Sequence, residues 1–300
     1  MYAIIVNPSS GRGRATLLFH QVEHALKNHH MPFEALLSDS KDASFQFIKN
    51  LLESYTLSAI IVIGGDGTTG SVVSIASEHH IPLAILPAGS GNDAARAFRL
   101  TYDPVVFVQK LRDCSTQQID LLNIDGKLGI TIAAAGVDAE IGEKANHSYF
   151  KLFVNKFGLG GLAYPIAAIQ TLSIFTPFKV NLSIDDAPYS WQRTWLIAIG
   201  NTPSYGGGLR VCPEAVTNDG LLNITVVHTA SRPSLLLRLV PKLLQGNPIQ
   251  SPSITYLTGA SITLQADRNI LLILDGEPIH APHFTIRIQP CALKLVNTSV

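Results

Sequence analysis

The chain has 300 residues, of which 46% are hydrophobic and 15% are charged, and its formal net charge at pH 7 is zero. A neutral balance argues against nucleic acid as a partner, because such a partner requires a basic face, and against membrane attachment through polybasic segments. The 3 cysteines are scattered without metal-ligand spacing. Since the start of the chain also lacks the pattern of a signal peptide, we expect a cytoplasmic protein without disulfides.

The first third of the chain alternates apolar strands with amphipathic helices. Strands are predicted at YAIIV (2–6), FEALL (33–37), SAIIVI (58–63) and IPLAIL (81–86), and helices at 15–27, 43–55, 69–78 and from Asp93 onward. Apolar strands that alternate with helices form a parallel sheet covered on both faces, so the sequence predicts an α/β domain. Such sheets bind their ligands at the carboxyl ends of the strands.

From about residue 118 onward, strands joined by turns replace this alternation. Asp125-Gly126 and Asp185-Asp186 are predicted hairpin turns. Further strands are predicted at 221–227, 261–266, 269–274 and 283–289, with one helix at 234–244. The sequence therefore predicts a second, mostly antiparallel β domain after a boundary at residues 118–122.

Residues 157–178 contain no charged side chain and are numerous enough to span a bilayer. Glycines, prolines and Gln170 interrupt the apolar run. We therefore favour a buried helix that leads into a strand, and we expect no transmembrane segment. A lipid-facing segment at the membrane surface is the alternative, both for this stretch and for residues 235–244.

Three loops rich in glycine follow predicted strands, namely NPSSGRG (7–13), GGDGT (64–68) and PAGSGND (87–93). Because the carboxyl ends of parallel strands share one sheet edge, we expect these loops to lie together. Glycines let main-chain N–H groups approach a ligand, and helix N-termini attract anions. The sequence therefore predicts a phosphate site, although it contains neither the dinucleotide-binding fingerprint nor a Walker loop.

Several carboxylates belong to this predicted phosphate edge or face it. Asp66 would repel bound phosphates unless a cation lies between them, which is the reason to expect Mg²⁺. The alternatives are that Asp66 caps a helix and that Asn92 and Asp93 cap the next one. In the second domain, Asp275 and Glu277 follow an apolar strand. Their Asp-Gly pair alone is typical of a hairpin turn, but a carboxylate that faces the phosphate edge would be a candidate general base.

The order of these motifs along the chain resembles one known family. The matching segments are NPSSG, GGDGT, PAGSGNDAAR, GVDAEI, GN…YGGG…NDGLL and DGE. Over nearly the whole chain, this set resembles the soluble diacylglycerol kinase catalytic family, which includes bacterial lipid kinases and, more distantly, the sphingosine and ceramide kinases. GGDGT alone is shared with NAD kinases and resembles phosphofructokinases.

The resemblance implies two domains. Residues 1–120 would form a Rossmann-like α/β nucleotide-binding domain, similar to that of phosphofructokinases and NAD kinases. Residues 121–287 would form an antiparallel β-sandwich domain for the lipid acceptor, and a last strand at about 288–300 would return to the first domain. ATP would lie in the cleft between the two.

The resemblance also implies the residues that line the nucleotide. Carried over by position, they are Asn7, Pro8, Ser9, Ser10, Gly11, Ser38, Gly64, Gly65, Asp66, Gly67, Thr68, Thr69, Gly70, Ser90, Asn92, Asp93 and Arg96. Among them, Arg96 would neutralise phosphate charge.

Catalytic and metal-binding roles follow from the same match. Glu277 matches the family's proton acceptor for the lipid hydroxyl. The Mg²⁺ ligands would be the Asp219 carboxylate and the carbonyls of Val216 and Leu221. Asp66 and Asp93 would connect this metal to the phosphates through water.

The leading hypothesis is an ATP- and Mg²⁺-dependent lipid kinase in which Glu277 and Asp66 are catalytic. The acceptor stays open between diacylglycerol, phosphatidylglycerol, a sphingoid base and undecaprenol. The family usually has Asn-Glu where this chain has Gly70 and Ser71. This departure motivates a catalytically silent nucleotide- or lipid-binding protein as one alternative, and a NAD kinase-like phosphotransferase is the other. A lipid acceptor implies peripheral contact with a membrane surface, and the family's frequent pairing makes a homodimer a further hypothesis.

Overall fold

The computed structural model describes residues 1–137, 139–140, 171–206, 208–235 and 249–299. Its first part contains strands β1 (Tyr2–Val6), β2 (Phe33–Leu37), β3 (Ala59–Gly64) and β4 (Leu83–Pro87) and helices α1 (Arg14–Asn28), α2 (Lys41–Ser54), α3 (Asp66–Glu78), α4 (Asp93–Ala97) and α5 (Pro104–Asp113). A 3₁₀ turn, Ser10–Gly13, precedes α1. The strands pair in parallel in the order β4-β3-β1-β2.

Helices cover both faces of this parallel sheet because its strands are apolar on both faces. Ile4 and Val6 of β1 face a core that also contains side chains of α1 and α5. Ala3 and Ile5 face the opposite core, to which α2 and α3 contribute. The alternation predicted from the sequence is therefore present, while the closer likeness to a Rossmann domain stays a prediction.

Helix α3 begins three residues earlier than the sequence predicts. It starts at Asp66 instead of Thr69, so the Asp-Gly-Thr segment forms its first turn. Glycine disfavours the helix interior, and this is why propensity alone places the start too late. The correction matters because the N-terminal N–H groups of α3 now belong to the predicted phosphate edge.

The second part of the chain consists mainly of antiparallel strands. They are β5 (Thr116–Ile124), β6 (Lys127–Gly129), β7 (Ile132–Gly136), β8 (Phe178–Ile184), β9 (Ala187–Gly200), β10 (Leu222–His228), β11 (Ile254–Gly259), β12 (Ser261–Leu274) and β13 (Glu277–Val296). The turns at Asp125-Gly126 and Asp185-Asp186 join β5 to β6 and β8 to β9, which confirms both hairpins. The strands predicted at 261–266 and 269–274 are one strand, β12, with an irregularity between Gln265 and Ile270.

Long strands fold this part around one core. The first half of β9 pairs with β8, whereas its second half pairs with β7 and β10. β12 likewise pairs with β8 near its start and with β7 near its end. Phe178, Trp195 and Phe284 lie fully buried in the core that these strands share.

The uncharged stretch and the predicted helix at 234–244 lie largely outside the described residues. Of residues 157–178, the described end is helical at 171–174 and enters β8 at Phe178, and Leu172 and Phe175 are buried in the core. From 234–244 the structure describes only two residues. Ser234 is the last residue of a short helix, α6 (Arg232–Ser234), and Leu235 follows it. No helix in the described part of the chain is long and apolar enough to cross a bilayer.

Strand β13 joins the two parts. It pairs with β12 and with β5, and at Leu295 it pairs in parallel with Leu83 of β4. Leu293 and Leu295 are 1% and 0% exposed in the same core as α2 and α3. Because one strand belongs to both parts, the division of the chain at residue 120 stays a prediction.

The fully buried carboxylate of Asp120 holds the irregular segment of β13, where the register with β5 shifts. Its Oδ1 accepts a hydrogen bond from the Cys291 N–H at 2.7 Å, and its Oδ2 accepts one from the Gly220 N–H at 2.8 Å. The main-chain carbonyl of Asp120 accepts a hydrogen bond from Asn201 Nδ2 at 2.7 Å. One side chain therefore holds β5, the loop before β10 and the irregular segment of β13 together.

We expect Asp120→Ala to lower the free energy of unfolding by about 3 kcal/mol, because it leaves two buried N–H groups without their acceptor. Chemical denaturation measures this change. Asp113→Ala, at the exposed end of α5, is the matched control and should cost less than about 0.5 kcal/mol. Equal stability of the two variants would show that Asp120 does not hold these segments.

Candidate active site

The three glycine-rich loops touch each other through their main chains. A Cβ atom at Gly11 would overlap the Ala88 carbonyl oxygen, and a Cβ at Gly89 would lie 2.6 Å from the Cα of Gly65. Gly11 also has a φ of +59°, a conformation that favours glycine. The loops after β1, β3 and β4 thus form one surface at the carboxyl edge of the sheet, as the sequence predicts.

Helix α3 points its N-terminus at this surface. The first N–H groups of an α-helix have no partner within the helix and carry a partial positive charge, so they favour an anion. No side chain caps α3. Asn7 connects the first loop to this turn, because its Nδ2 donates to Thr68 Oγ1 at 3.3 Å and its Oδ1 accepts from Ser9 N at 3.0 Å. The arrangement is a ready cradle for phosphate groups.

Asp66 connects the second loop to the third. Its carboxylate accepts hydrogen bonds from the N–H groups of Asp93 at 3.1 Å and Ala94 at 3.2 Å. Asp66 therefore satisfies the N-terminus of α4, and Asn92 makes no capping hydrogen bond there. A Cβ at Gly91 would lie 2.8 Å from Asp66 Oδ2, which explains the glycine at that position.

Burial raises the pKa of the Asp66 carboxyl above its ordinary value. The neighbouring carboxylates of Asp93 and Asp275 raise the pKa further, while the hydrogen bonds from the Asp93 and Ala94 N–H groups oppose the shift. The ionised form of Asp66 is therefore less stable here than in water, and a cation close by would stabilise it. A buried carboxylate with other carboxylates nearby is the kind of environment in which the sequence analysis predicts a cation.

Asp93 receives a contact from the second part of the chain. Its Oδ2 accepts a hydrogen bond from the Gly206 N–H at 2.7 Å, and its Oδ1 lies 3.6 Å from Arg96 NH1. Arg96 NH1 also donates to the Gly91 carbonyl at 2.7 Å. Arg96 is thus attached to the third loop, with its positive charge beside the phosphate surface.

Asp275 and Glu277 occupy different environments although they are two residues apart. Asp275 accepts hydrogen bonds from the N–H groups of Ile130 at 2.6 Å and Thr131 at 3.0 Å, and from the Thr131 hydroxyl. Burial raises the pKa of Asp275, and these hydrogen bonds oppose the shift. Asp275 therefore holds the segment between β6 and β7.

Glu277 faces the first part of the chain. Its Oε1 lies 3.8 Å from the position that a Cβ at Gly67 would occupy, in the first turn of α3. The same oxygen forms an ion pair with Lys41 at the start of α2. The Glu277 side chain is 44% exposed, so an acceptor hydroxyl can reach it.

The remaining predicted residues lie at the rim or away from this centre. Ser38 Oγ accepts from the Ser40 N–H at 3.1 Å, at the end of β2. Pro8 and Ser90 are exposed in their loops. A Cβ at Gly70 would meet nothing within 4 Å, whereas Ser71 Oγ donates to the Thr68 carbonyl at 2.6 Å. The departure from Asn-Glu therefore leaves open space at the first position.

The predicted metal ligands lie on the loop before β10. Asp219 Oδ1 accepts from the Leu221 N–H at 3.0 Å, and Val216 and Leu221 are 48% and 38% exposed. Among the described residues, no group of three or more acidic, histidine or cysteine side chains could hold a metal ion. The predicted ligand set has one carboxylate and two main-chain carbonyls, so the lack of such a cluster of side chains does not test it. This ligand set stays a prediction.

The sequence reasoning missed two residues. Asp120 is a charged residue inside the apolar run IDLLNI, and a carboxylate in a buried strand signals a structural anchor. Lys41 follows strand β2 at the same sheet edge, which was a signal for proximity to the site. Its contact with Glu277 joins residues too distant in sequence for any local pattern to reveal.

Comparisons with known proteins agree with the motifs. The diacylglycerol kinase catalytic domain model matches residues 1–124, and the model of the YegS C-terminal NAD kinase beta sandwich-like domain matches residues 131–297. The second match assigns the antiparallel part to the sandwich type, as predicted. A diacylglycerol kinase of Mycobacterium tuberculosis (strain ATCC 25618 / H37Rv) is 31% identical over 300 residues, which cover 98% of this chain and 94% of that protein.

Two further comparisons extend the likeness. A Klebsiella pneumoniae (strain 342) protein named "Probable lipid kinase YegS-like" is 26% identical over 291 residues, 95% of this chain and 93% of that protein. A solved structure of a diacylglycerol kinase from Bacillus anthracis str. Sterne has the same fold, with a TM-score of 0.73, 18% identity and coverage of 98% and 96%. The resemblance read from the motifs is therefore confirmed, and this chain belongs to the diacylglycerol kinase family of enzymes, with a catalytic domain followed by a YegS-type C-terminal domain.

Proposed function

We propose that this enzyme is a lipid kinase that transfers the γ-phosphate of ATP to the hydroxyl group of a diacylglycerol-like lipid. The observation that carries the proposal is the position of Glu277. This carboxylate comes from the second part of the chain and faces the N-terminus of α3, beside the glycine loops. A base opposite a phosphate cradle is the arrangement that phosphoryl transfer to a hydroxyl requires.

In the proposed mechanism, the glycine loops and the N-terminus of α3 hold the phosphates of ATP. Glu277 accepts the proton of the lipid hydroxyl while the hydroxyl oxygen forms a bond to the γ-phosphorus. The bond from the γ-phosphorus to the β,γ-bridging oxygen breaks, and ADP leaves with that electron pair. Arg96 balances negative charge next to the third loop. Catalysis is mainly placement and charge stabilisation.

Mg²⁺ fits this site because burial, and to a smaller extent the like charges of Asp93 and Asp275, raise the pKa of Asp66, an effect that a nearby cation opposes. The ligands that we assign are the Asp219 carboxylate and the carbonyls of Val216 and Leu221, with Asp66 and Asp93 reached through water. A bound Mg²⁺ would neutralise charge that develops on the phosphates. This assignment rests on the family match.

A lipid acceptor requires contact with a membrane surface. Leu172 and Phe175 are 3% and 4% exposed and contribute to the core, whereas Ile174 between them is 69% exposed. Leu235 is also buried, and the other candidate docking residues, 157–170 and 236–244, lie outside the described part of the chain. Peripheral membrane contact and pairing of two chains remain part of the proposal.

The direct test is transfer of labelled γ-phosphate from ATP to a panel of lipids in mixed micelles. We expect a labelled lipid that depends on Mg²⁺ and disappears in Asp66→Ala. A label on NAD instead would favour a NAD kinase-like enzyme. ATP binding without transfer to any acceptor would favour a silent binding protein, and Gly70 and Ser71 would then be the first residues to replace.

We expect Glu277→Gln and Asp66→Ala to lower kcat by about 10²–10⁴-fold while the protein stays folded, because each removes a group that acts on the reacting atoms or their charge. Glu53→Gln, on the exposed far end of α2, is the control and should keep its activity. Turnover of folded Glu277→Gln within threefold of the parent would exclude Glu277 as the base.

The raised pKa of Asp66 predicts a pH-dependent stability difference between the parent and Asp66→Asn. A carboxyl whose pKa is higher in the folded state contributes stability at low pH, and this contribution is lost as the pH rises through the folded-state pKa. The stability of the parent relative to Asp66→Asn should therefore fall as the pH rises from the ordinary carboxyl pKa of about 4 toward neutral.

Thermal denaturation of both proteins across this range measures the difference, and saturating Mg²⁺ should reduce its slope. The asparagine also changes the hydrogen bonds with Asp93 and Ala94, but that cost does not depend on pH. A constant difference over the whole range would contradict the electrostatic role of Asp66.

A further inference from the structure

Lys41 is held at a defined position next to the active site. It is the first residue of α2, whose N-cap is Ser40, and Ser40 Oγ accepts a hydrogen bond from the Ala43 N–H at 3.2 Å. The preceding residues are attached as well, since Ser38 N donates to the Val6 carbonyl at 2.9 Å. The Lys41 main chain is thus fixed, and its mobility lies in the long side chain.

The Lys41 ammonium lies close to the predicted phosphate surface. Helices α2 and α3 both follow parallel strands, so both begin at the carboxyl edge of the sheet, and the two helices pack against each other. The ammonium contacts Glu277 Oε1, and that oxygen adjoins Gly67 in the first turn of α3. The N–H groups of this turn are the ones that the proposed function assigns to phosphate.

The ion pair between Lys41 and Glu277 is easily exchanged. The two side chains are 46% and 44% exposed, and exposed pairs of this kind contribute little stability. A bound triphosphate would bring several negative charges to the same place. Arg96 is already attached to Asp93 and to the Gly91 carbonyl. The Lys41 ammonium can therefore leave Glu277 and contact another anion that binds nearby.

We propose that Lys41 is a phosphate-binding residue that exchanges Glu277 for the γ-phosphate when ATP binds. This inference rests on the proposed function. In the ATP-free enzyme, Lys41 holds the Glu277 carboxylate. When the ammonium moves to a γ-phosphate oxygen, it releases the Glu277 carboxylate, which then accepts the proton of the lipid hydroxyl during the transfer described above.

The exchange makes a prediction about binding that does not depend on catalysis. Lys41→Met should weaken ATP binding about tenfold and ADP binding less than twofold, because ADP lacks the phosphate that the ammonium contacts. Lys41→Arg should recover much of the loss, since it keeps the charge. Lys49→Met, on the exposed surface of the same helix, is the matched control and should change neither affinity.

Calorimetric titration of the full chain with ATP and with ADP, without acceptor, measures these affinities. In a Glu277→Gln background, Lys41→Met should weaken ATP binding by at least the same factor, because the contact is with phosphate and no ion pair with Glu277 has to be broken first. An unchanged ratio of ATP to ADP affinity in Lys41→Met would overturn the proposal. So would a loss that disappears in the Glu277→Gln background, because Lys41 would then act only through Glu277.

The same measurements separate this inference from the proposed function. If no lipid accepts phosphate while Lys41→Met weakens ATP binding more than ADP binding, the lipid kinase proposal fails and the phosphate contact stands. If the parent phosphorylates a lipid and Lys41→Met binds both nucleotides normally, the proposed function stands and the role of Lys41 fails.

Discussion

The active site depends on strand β13, because this one strand carries Glu277 at its start and packs Leu293 and Leu295 into the other part of the chain. Its residues would span about 60 Å if the strand were straight. The register shift between Gln289 and Leu293 interrupts the pairing, and an irregularity of this kind bends a strand. Asp120 holds the bend through the Cys291 N–H.

The consequence is geometric. The position of Glu277 relative to the glycine loops is set by strand pairing and core packing on either side of the bend, and the loops need not hold it. The proposed phosphoryl transfer requires placement of its base, Glu277, within a fraction of an ångström. A long shared strand supplies this precision more reliably than a hinge between separate domains. The same strand also explains why β4 and β12 belong to one hydrogen-bonded network.

Much of the fold was predictable because burial leaves a local pattern. The apolar strands of the parallel sheet and the turns at Asp125-Gly126 and Asp185-Asp186 follow from apolar runs and turn residues in the local sequence. The length of β12 was not predictable, because polar residues at 267–269 interrupt the apolar run, and only pairing with neighbouring strands keeps the chain extended. Tertiary pairing overrides local propensity at such positions.

In the candidate site, too, local sequence predicts the loops but not the tertiary contacts of individual side chains. Glycines mark the three loops because close main-chain approach excludes a side chain, as between Gly65 and Gly89. The sequence placed Asp275 and Glu277 together as candidate bases. Only the structure separates them, since Asp275 is occupied by the N–H groups of Ile130 and Thr131 whereas Glu277 stays accessible.

The charges of the site explain why Lys41 pairs with Glu277 in the absence of nucleotide. Asp66, Asp93, Asp275 and Glu277 bring an excess of negative charge to the same edge, and burial together with the charges of Asp93 and Asp275 raises the pKa of Asp66 there. Lys41 reduces this excess until a ligand arrives. ATP adds further negative charge, so more cationic charge must then reach the phosphates. In the proposed exchange, the Lys41 ammonium neutralises negative charge at Glu277 before ATP binds and at the γ-phosphate afterwards. The same movement releases the Glu277 carboxylate to act as the proposed base.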